Sequence, residues 1–173
     1  SQIIESFRGI YENIEALTAM AHVLEISSDI AISPENANDI FPYVIYTLHA
    51  LSARRKDYRL VVAVFEWKIM NTVGFSVDII PPRIPENTSY VFSFSSCSIR
   101  SARCQNSNRE EVALLPGTYQ ALLFIRNASP AHMFSFDVTE DILEQLIYIS
   151  RKYLCERLDK KYCKLDLLNQ KPF

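Results

Sequence analysis

The chain has 173 residues, of which 49% are hydrophobic and 22% are charged. This apolar content can build a folded core and excludes a disordered tail. The formal net charge is -2, which argues against non-specific nucleic-acid binding by the whole surface, although a local basic patch can still bind. Only 3 glycines are present and neither common glycine-rich phosphate-binding motif occurs, so nucleotide binding of those kinds is not expected.

The sequence contains no run of 18 apolar residues and no N-terminal signal peptide, which predicts a cytoplasmic protein with no membrane partner. Its 4 cysteines lie in two pairs, Cys97/Cys104 and Cys155/Cys163. If one helix carries the second pair, a rise of about 1.5 Å per residue separates the two Cα atoms by about 12 Å, beyond the ~7 Å limit for a disulfide. All four are therefore predicted to be free thiols.

In the first part of the chain, apolar residues recur every three or four positions and predict three helices with short links. The first helix is expected over 3–26. The second should run over 33–53, with Ser33 as N-cap before Pro34 and an internal Pro42. The third should run over 57–73 and stop at Gly74. The expected buried stripe of the second helix consists of Ile40, Phe41, Val44, Ile45, Leu48 and Leu51.

The pattern changes between residues 75 and 115, where alternating Tyr90, Phe92 and Phe94 predict one strand and the rest is expected to be loop. A helix is predicted over 118–126, and a last one opens at Asp137, with Glu140 three positions later in a capping arrangement. The expected fold is one mainly α domain, a helical bundle with a small β/loop insertion. Its parts are residues 1–74, 75–115 and 116–173.

A basic cluster, Arg54, Arg55, Lys56 and Arg59, runs directly into the third helix, whose first apolar residues include Leu60 and Val64. Cations at a helix N-terminus oppose the helix dipole, so four of them there indicate an anionic partner. An acidic peptide with an aromatic end would suit this pattern, with its carboxylates on the arginines and its ring on Leu60 and Val64. A solvated helix–loop junction is the alternative. Lys160, Lys161 and Lys164 form a second basic patch.

No motif predicts catalysis or a metal site. His22, His49 and His132 lie far apart, without a metal-binding spacing. Cys97 and Cys104 are separated by six residues and no CxxC occurs, so zinc is not expected. The prediction is a non-enzymatic protein without a cofactor.

The order of four segments resembles the C-terminal region of the RecO family of bacterial recombination mediators. The segments are ESFRGIYENIEALTAMAHVLEI, FEWKIMNTVGF, the strand with its cysteine, and YLCERLDKKYCKLDLL. Members typically carry a helix that begins FE and ends in a GF or GY turn, which Phe65, Glu66, Gly74 and Phe75 reproduce. Many members also carry a four-cysteine zinc ribbon after that turn. Here only Cys104 matches a ligand position, because the first CxxC is replaced by IIPPR and the second reads SARC. The resemblance therefore implies that the β/loop insertion is a degenerate zinc ribbon.

This resemblance implies a DNA repair and recombination mediator that works without catalysis. Its partners would be the acidic, Phe-ending tail of single-strand DNA-binding protein and a RecR-like protein. The family's N-terminal OB barrel is not found, so single-stranded DNA is expected to bind weakly, and the chain is a fragment or a natural short form. A cytosolic helical DNA-binding regulator, or an adaptor unrelated to repair, is the main alternative, and an enzyme whose site forms only in the fold is a third.

Overall fold

A computed structural model of the chain describes residues 13–80, 89–102 and 110–169. Five helices and four short strands lie in these ranges, which is the mainly α fold with a β insertion that the sequence predicts. In chain order, the elements are α1 (Ile14–Ile30), α2 (Pro34–Ala53), α3 (Tyr58–Thr72), β1 (Asp78–Ile79), β2 (Tyr90–Ser93), β3 (Ser98–Ser101), β4 (Glu111–Leu114), α4 (Pro116–Asn127), α5 (Glu140–Leu158) and a 3-10 helix (Lys164–Asn169).

Helix α3 is the centre of the bundle and packs against α1, α2, α4 and α5. Every residue from 60 to 70 is buried, because the segment is apolar on nearly all sides. Its polar groups pair with neighbouring elements: Trp67 Nε1 donates to the Leu122 carbonyl at 3.1 Å, and Lys68 Nζ donates to the Arg126 carbonyl at 2.8 Å. Burial lowers the pKa of Lys68.

Local signals predicted the limits of α2 and α3 well. Ser33 caps α2 through its hydroxyl, which accepts the Asn36 N–H at 3.2 Å, and the helix continues through Pro42 to Ala53. Helix α3 ends before Gly74, whose φ of +96° favours glycine. The Phe75 N–H then donates to the Met70 carbonyl at 3.0 Å and closes the helix end.

Three helix predictions were wrong in detail. Helix α1 begins at Ile14, because the Asn13 side chain caps it, and continues to Ile30 instead of ending at 26; residues before 13 lie outside the described ranges. In α2, Phe41 and Ile45 are exposed, and the buried positions are Ile40, Thr47, Leu48 and Leu51. Helix α5 begins after Thr139 instead of at Asp137, whose carboxylate pairs with Lys56.

The insertion forms a four-stranded sheet in the order β1-β3-β2-β4 instead of a single strand within a loop. Strand β2 pairs antiparallel with β3 and β4, and β1 pairs parallel with β3. Phe92, the third residue of β2, is fully buried and contacts Trp67 edge-on with ring centroids 5.8 Å apart. Through Phe92, the sheet contacts α3.

Beyond α5, the chain returns to α1. Cys163 lies outside the helix, which ends at Leu158, so the predicted helical spacing of Cys155 and Cys163 does not apply. Cys97, Cys155 and Cys163 are nonetheless free thiols. Cys104 lies outside the described ranges.

Candidate partner-binding site

The basic cluster lies in the link between α2 and α3 instead of wholly at the α3 N-terminus. Arg54 is the C-cap of α2, in the left-handed conformation with φ 52°. A cation at the C-terminal end of a helix interacts favourably with the helix dipole. Arg54 therefore does not create the unfavourable charge–dipole interaction that the sequence predicts for the α3 N-terminus. Arg55 is exposed.

The other two cations join this link to the start of α5. Lys56 Nζ donates to the Phe136 carbonyl at 2.8 Å and to Asp137 Oδ1 at 2.7 Å. Arg59 pairs with Asp57 Oδ2 at 2.8 Å and with Glu140 Oε1 at 2.7 Å. These carboxylates neutralise much of the charge that the sequence assigns to an external anion.

Asp57 explains how α3 tolerates the nearby arginine. Its Oδ1 accepts the backbone N–H of Arg59 at 2.8 Å and caps the helix. Burial alone would raise the pKa of Asp57, but the hydrogen bonds from Arg59 lower it overall. Asp57 and Glu140 in turn raise the pKa of Arg59.

The apolar half of the predicted site needs correction. Leu60 and Val64 are both buried in the core, so neither can receive a phenylalanine ring in this fold. The unbroken apolar run LVVAVF around them was the available signal, since a helix that is apolar on all sides is normally buried.

Two adjacent cavities lie beside the cluster and share Tyr58 and Arg59 in their walls. The first, called here the loop pocket, has a volume of about 450 Å³. It is mainly polar and is lined by Asn13, Glu15, Ala16, Leu51, Arg54, Lys56, Asp57, Tyr58 and Arg59.

The second cavity, called here the α3–α5 groove, has a volume of about 340 Å³. Its apolar walls come from α3, α5 and the 3-10 helix, and Arg151 is its second arginine besides Arg59. The lining residues are Tyr58, Arg59, Val62, Ala63, Glu66, Ile147, Arg151, Leu165, Asp166 and Asn169. The groove combines apolar walls with two half-buried arginines, and it is lined by neither Leu60 nor Val64.

A charge network centred on the buried Glu66 reaches the α3–α5 groove, which Glu66 and Arg151 line. Glu66 Oε1 accepts a hydrogen bond from Arg151 Nε at 2.6 Å and lies 2.6 Å from His22 Nε2. The hydroxyl of Ser150 donates to Glu66 Oε2 at 3.0 Å. Sequence reasoning missed this network, although a glutamate inside the apolar run VFEW was a visible signal.

The second basic patch is largely used within the fold. Lys160 pairs with Asp29 at 2.7 Å and Glu25 at 3.2 Å, and Lys164 pairs with Glu25. Tyr162 also donates to Asp29 at 2.7 Å. Lys161, the third lysine of the predicted patch, is exposed and forms no ion pair with any of the described residues. The patch therefore fastens the C-terminal segment to α1.

Within the described ranges, no group of three or more His, Cys, Asp or Glu side chains could hold a metal ion. His132 is exposed, and its Nδ1 lies 2.8 Å from the Ser129 hydroxyl. In the same ranges, no helix is long and apolar enough to cross a membrane.

Comparison with known proteins assigns the chain to a family. Residues 11–166 match the family model described as "Recombination protein O C terminal". The chain therefore belongs to the RecO C-terminal family of DNA repair proteins, as the sequence resemblance indicated.

Individual relatives agree with this assignment. "DNA repair protein RecO" of Acetivibrio thermocellus is 30% identical, over 96% of this chain and 67% of the relative. The proteins of the same description from Clostridium kluyveri and Clostridium perfringens strain SM101 are 20% and 22% identical, over 97% and 96% of this chain and 66% and 75% of the relatives. The chain thus spans about two thirds to three quarters of their length. No solved structure matches the chain.

Proposed function

We propose that this chain is the partner-binding region of a RecO-type recombination mediator and acts without catalysis. Its partner would be the acidic, phenylalanine-ending tail of single-strand DNA-binding protein. A RecR-like protein and weakly bound single-stranded DNA are further partners proposed from the family. The net charge of -2 argues against strong DNA binding by this region alone.

The observation that carries this proposal is that the two cavities are adjacent and share Tyr58 and Arg59 as wall residues. A peptide ending in phenylalanine could insert its ring between Val62, Ile147 and Leu165 in the α3–α5 groove. Its carboxylates would then lie along the loop pocket towards Arg55. Apolar burial would supply affinity, and charge-assisted hydrogen bonds would fix the orientation.

A fluorescent acidic peptide, with and without its terminal phenylalanine, tests the proposal by titration. We expect Arg55→Glu and Ile147→Gln each to weaken binding about tenfold, equivalent to about 1.4 kcal/mol. Only the Arg55 effect should shrink with salt. Leu24→Gln is the matched control for Ile147→Gln, because Leu24 is exposed on α1 and lines neither cavity.

Equal affinity for wild type and both variants, or no binding at all, would overturn the site. Equal competition by duplex DNA would favour the helical DNA-binding regulator instead. We also propose that the chain works without zinc, since the sequence has no CxxC pair. One tightly held zinc per chain, found by elemental analysis, would contradict that.

A further inference from the structure

Strand β4 is at one edge of the sheet, since the strand order is β1-β3-β2-β4. One side of its backbone pairs antiparallel with β2, and on that side the Glu110 carbonyl accepts the Phe94 N–H at 3.0 Å. Successive residues of a paired strand bond alternately towards the partner strand and away from it. The Ala113 carbonyl and the Leu115 N–H therefore point away from β2, to the outer side of the sheet.

The side chain of Gln145, on α5, binds both of these outer groups. Its Nε2 donates to the Ala113 carbonyl at 2.9 Å, and its Oε1 accepts the Leu115 N–H at 2.9 Å. In a parallel pair of strands, one residue of the neighbouring strand bonds the same two groups, with its own N–H and C=O. The Gln145 amide therefore makes the two hydrogen bonds that a residue of a further strand would make.

From this geometry we propose that Gln145 prevents another strand from adding to β4. A sheet edge with unpaired N–H and C=O groups can pair with a strand of another chain, which leads to association. Ala113 and Leu115 are both exposed, so a strand could reach this edge if the Gln145 side chain were removed. In a solution of the pure chain, only a strand of a second copy could add.

The chemistry of glutamine suits this role. A side-chain amide carries a donor and an acceptor on one planar group, as a peptide unit does, whereas a carboxylate only accepts and a lysine only donates. The same two hydrogen bonds also attach α5 to the sheet, so an experiment has to separate blocking of the edge from stability. The inference rests on α5 and β4 and does not depend on binding of an acidic tail.

Sedimentation velocity of the full chain over a concentration series tests the proposal. The variant is Gln145→Met, because methionine keeps the side-chain length and the helix propensity but lacks the amide. We expect it to self-associate about tenfold more tightly than the wild type. Gln120→Met is the matched control, because Gln120 is exposed on α4, and it should behave as the wild type does. Hydrogen exchange at low protein concentration should show the Leu115 amide exchanging about tenfold faster in Gln145→Met.

A second substitution separates strand pairing from unfolding and from added apolar surface. Ala113→Lys places a charge on the edge strand, which disfavours pairing with another strand. The double variant Gln145→Met/Ala113→Lys should therefore associate no more than the wild type, although the two hydrogen bonds are still missing. Gln145→Met/Leu24→Lys is its control and should associate as Gln145→Met does, because Leu24 is exposed on α1, outside the sheet.

The proposal is overturned if Gln145→Met associates no more than Gln120→Met, or if the Leu115 amide exchanges equally fast in Gln145→Met and the wild type. It is also overturned if Ala113→Lys leaves the association of Gln145→Met unchanged, because unfolding would then be the cause. Equal suppression by Leu24→Lys and Ala113→Lys would overturn it as well, since net charge alone would explain that result.

Discussion

The carboxylate of Glu66 lies 2.6 Å from His22 Nε2, and both residues are fully buried. The same oxygen accepts a hydrogen bond from Arg151 Nε at 2.6 Å. A carboxylate inside a core is costly unless it is paired, so these contacts determine how α1, α3 and α5 can pack together. Glu66 also lines the α3–α5 groove.

Replacing Glu66 should destabilise the fold strongly. We expect Glu66→Ala to lower the free energy of unfolding by about 3–5 kcal/mol, because Arg151 loses its partner and His22 stays buried without one. Urea unfolding measures the change. Glu144→Ala, at an exposed position of α5, should stay within about 0.5 kcal/mol of wild type. A Glu66→Ala protein as stable as that control would contradict the structural role.

The attachment of the C-terminal segment to α1 should weaken in acid. Lys164 holds the pKa of Glu25 below its ordinary 4.5, and Lys160 with Tyr162 holds that of Asp29 below 3.8. Carboxylates with lowered pKa values contribute stability above their ordinary pKa and lose it as the pH falls through the folded value. Hydrogen-exchange protection of residues 160–169 should therefore fall between about pH 5 and about pH 2.

The double variant Glu25→Gln/Asp29→Asn provides the control for that measurement. Its segment should exchange faster already at neutral pH and should show little further change in acid. If the wild type and the double variant have the same protection at both pH values, the ion pairs do not hold the segment.

Releasing Arg59 from its internal partner should strengthen binding of an acidic peptide. Glu140 now holds both terminal nitrogens of Arg59, at 2.7 Å and 3.2 Å. Glu140→Gln removes the competing charge, so we expect the peptide to bind about threefold more tightly, with the gain reduced by salt. Fluorescence titration measures it. Glu144→Gln removes the same charge from α5 and should have a smaller effect; equal gains would mean that only net charge matters.

Substitutions at the residues that follow α3 and α5 should have opposite effects on stability, because both residues are in the left-handed conformation. Gly74 and Asp159 have φ values of 96° and 49°, and each precedes an N–H that bonds to the carbonyl five residues earlier. We expect Gly74→Ala to lower the free energy of unfolding by about 1 kcal/mol and Asp159→Gly to raise it by about 0.5 kcal/mol. Thermal unfolding compares them. Shifts of the same sign in both variants would contradict this explanation.

The amino-acid sequence alone determined the class of fold and the limits of several helices. Ser33 and Pro34 start α2, and Gly74 follows α3, because capping groups and left-handed glycines act within one helical turn. It also located the basic link between these helices. Such signals are readable because the interacting groups are close in sequence.

Tertiary structure alone decided which side chains are available for binding. Leu60 and Val64 became core residues because four helices surround α3, whereas Phe41 stayed outside although its spacing suited a buried stripe. Lys56 pairs with Asp137, a residue 81 positions away. Strands β1, β3 and β4, two to four residues long, depend on pairing between distant segments. The physical reason is that burial and charge pairing arise from contacts between elements, which local spacing does not encode.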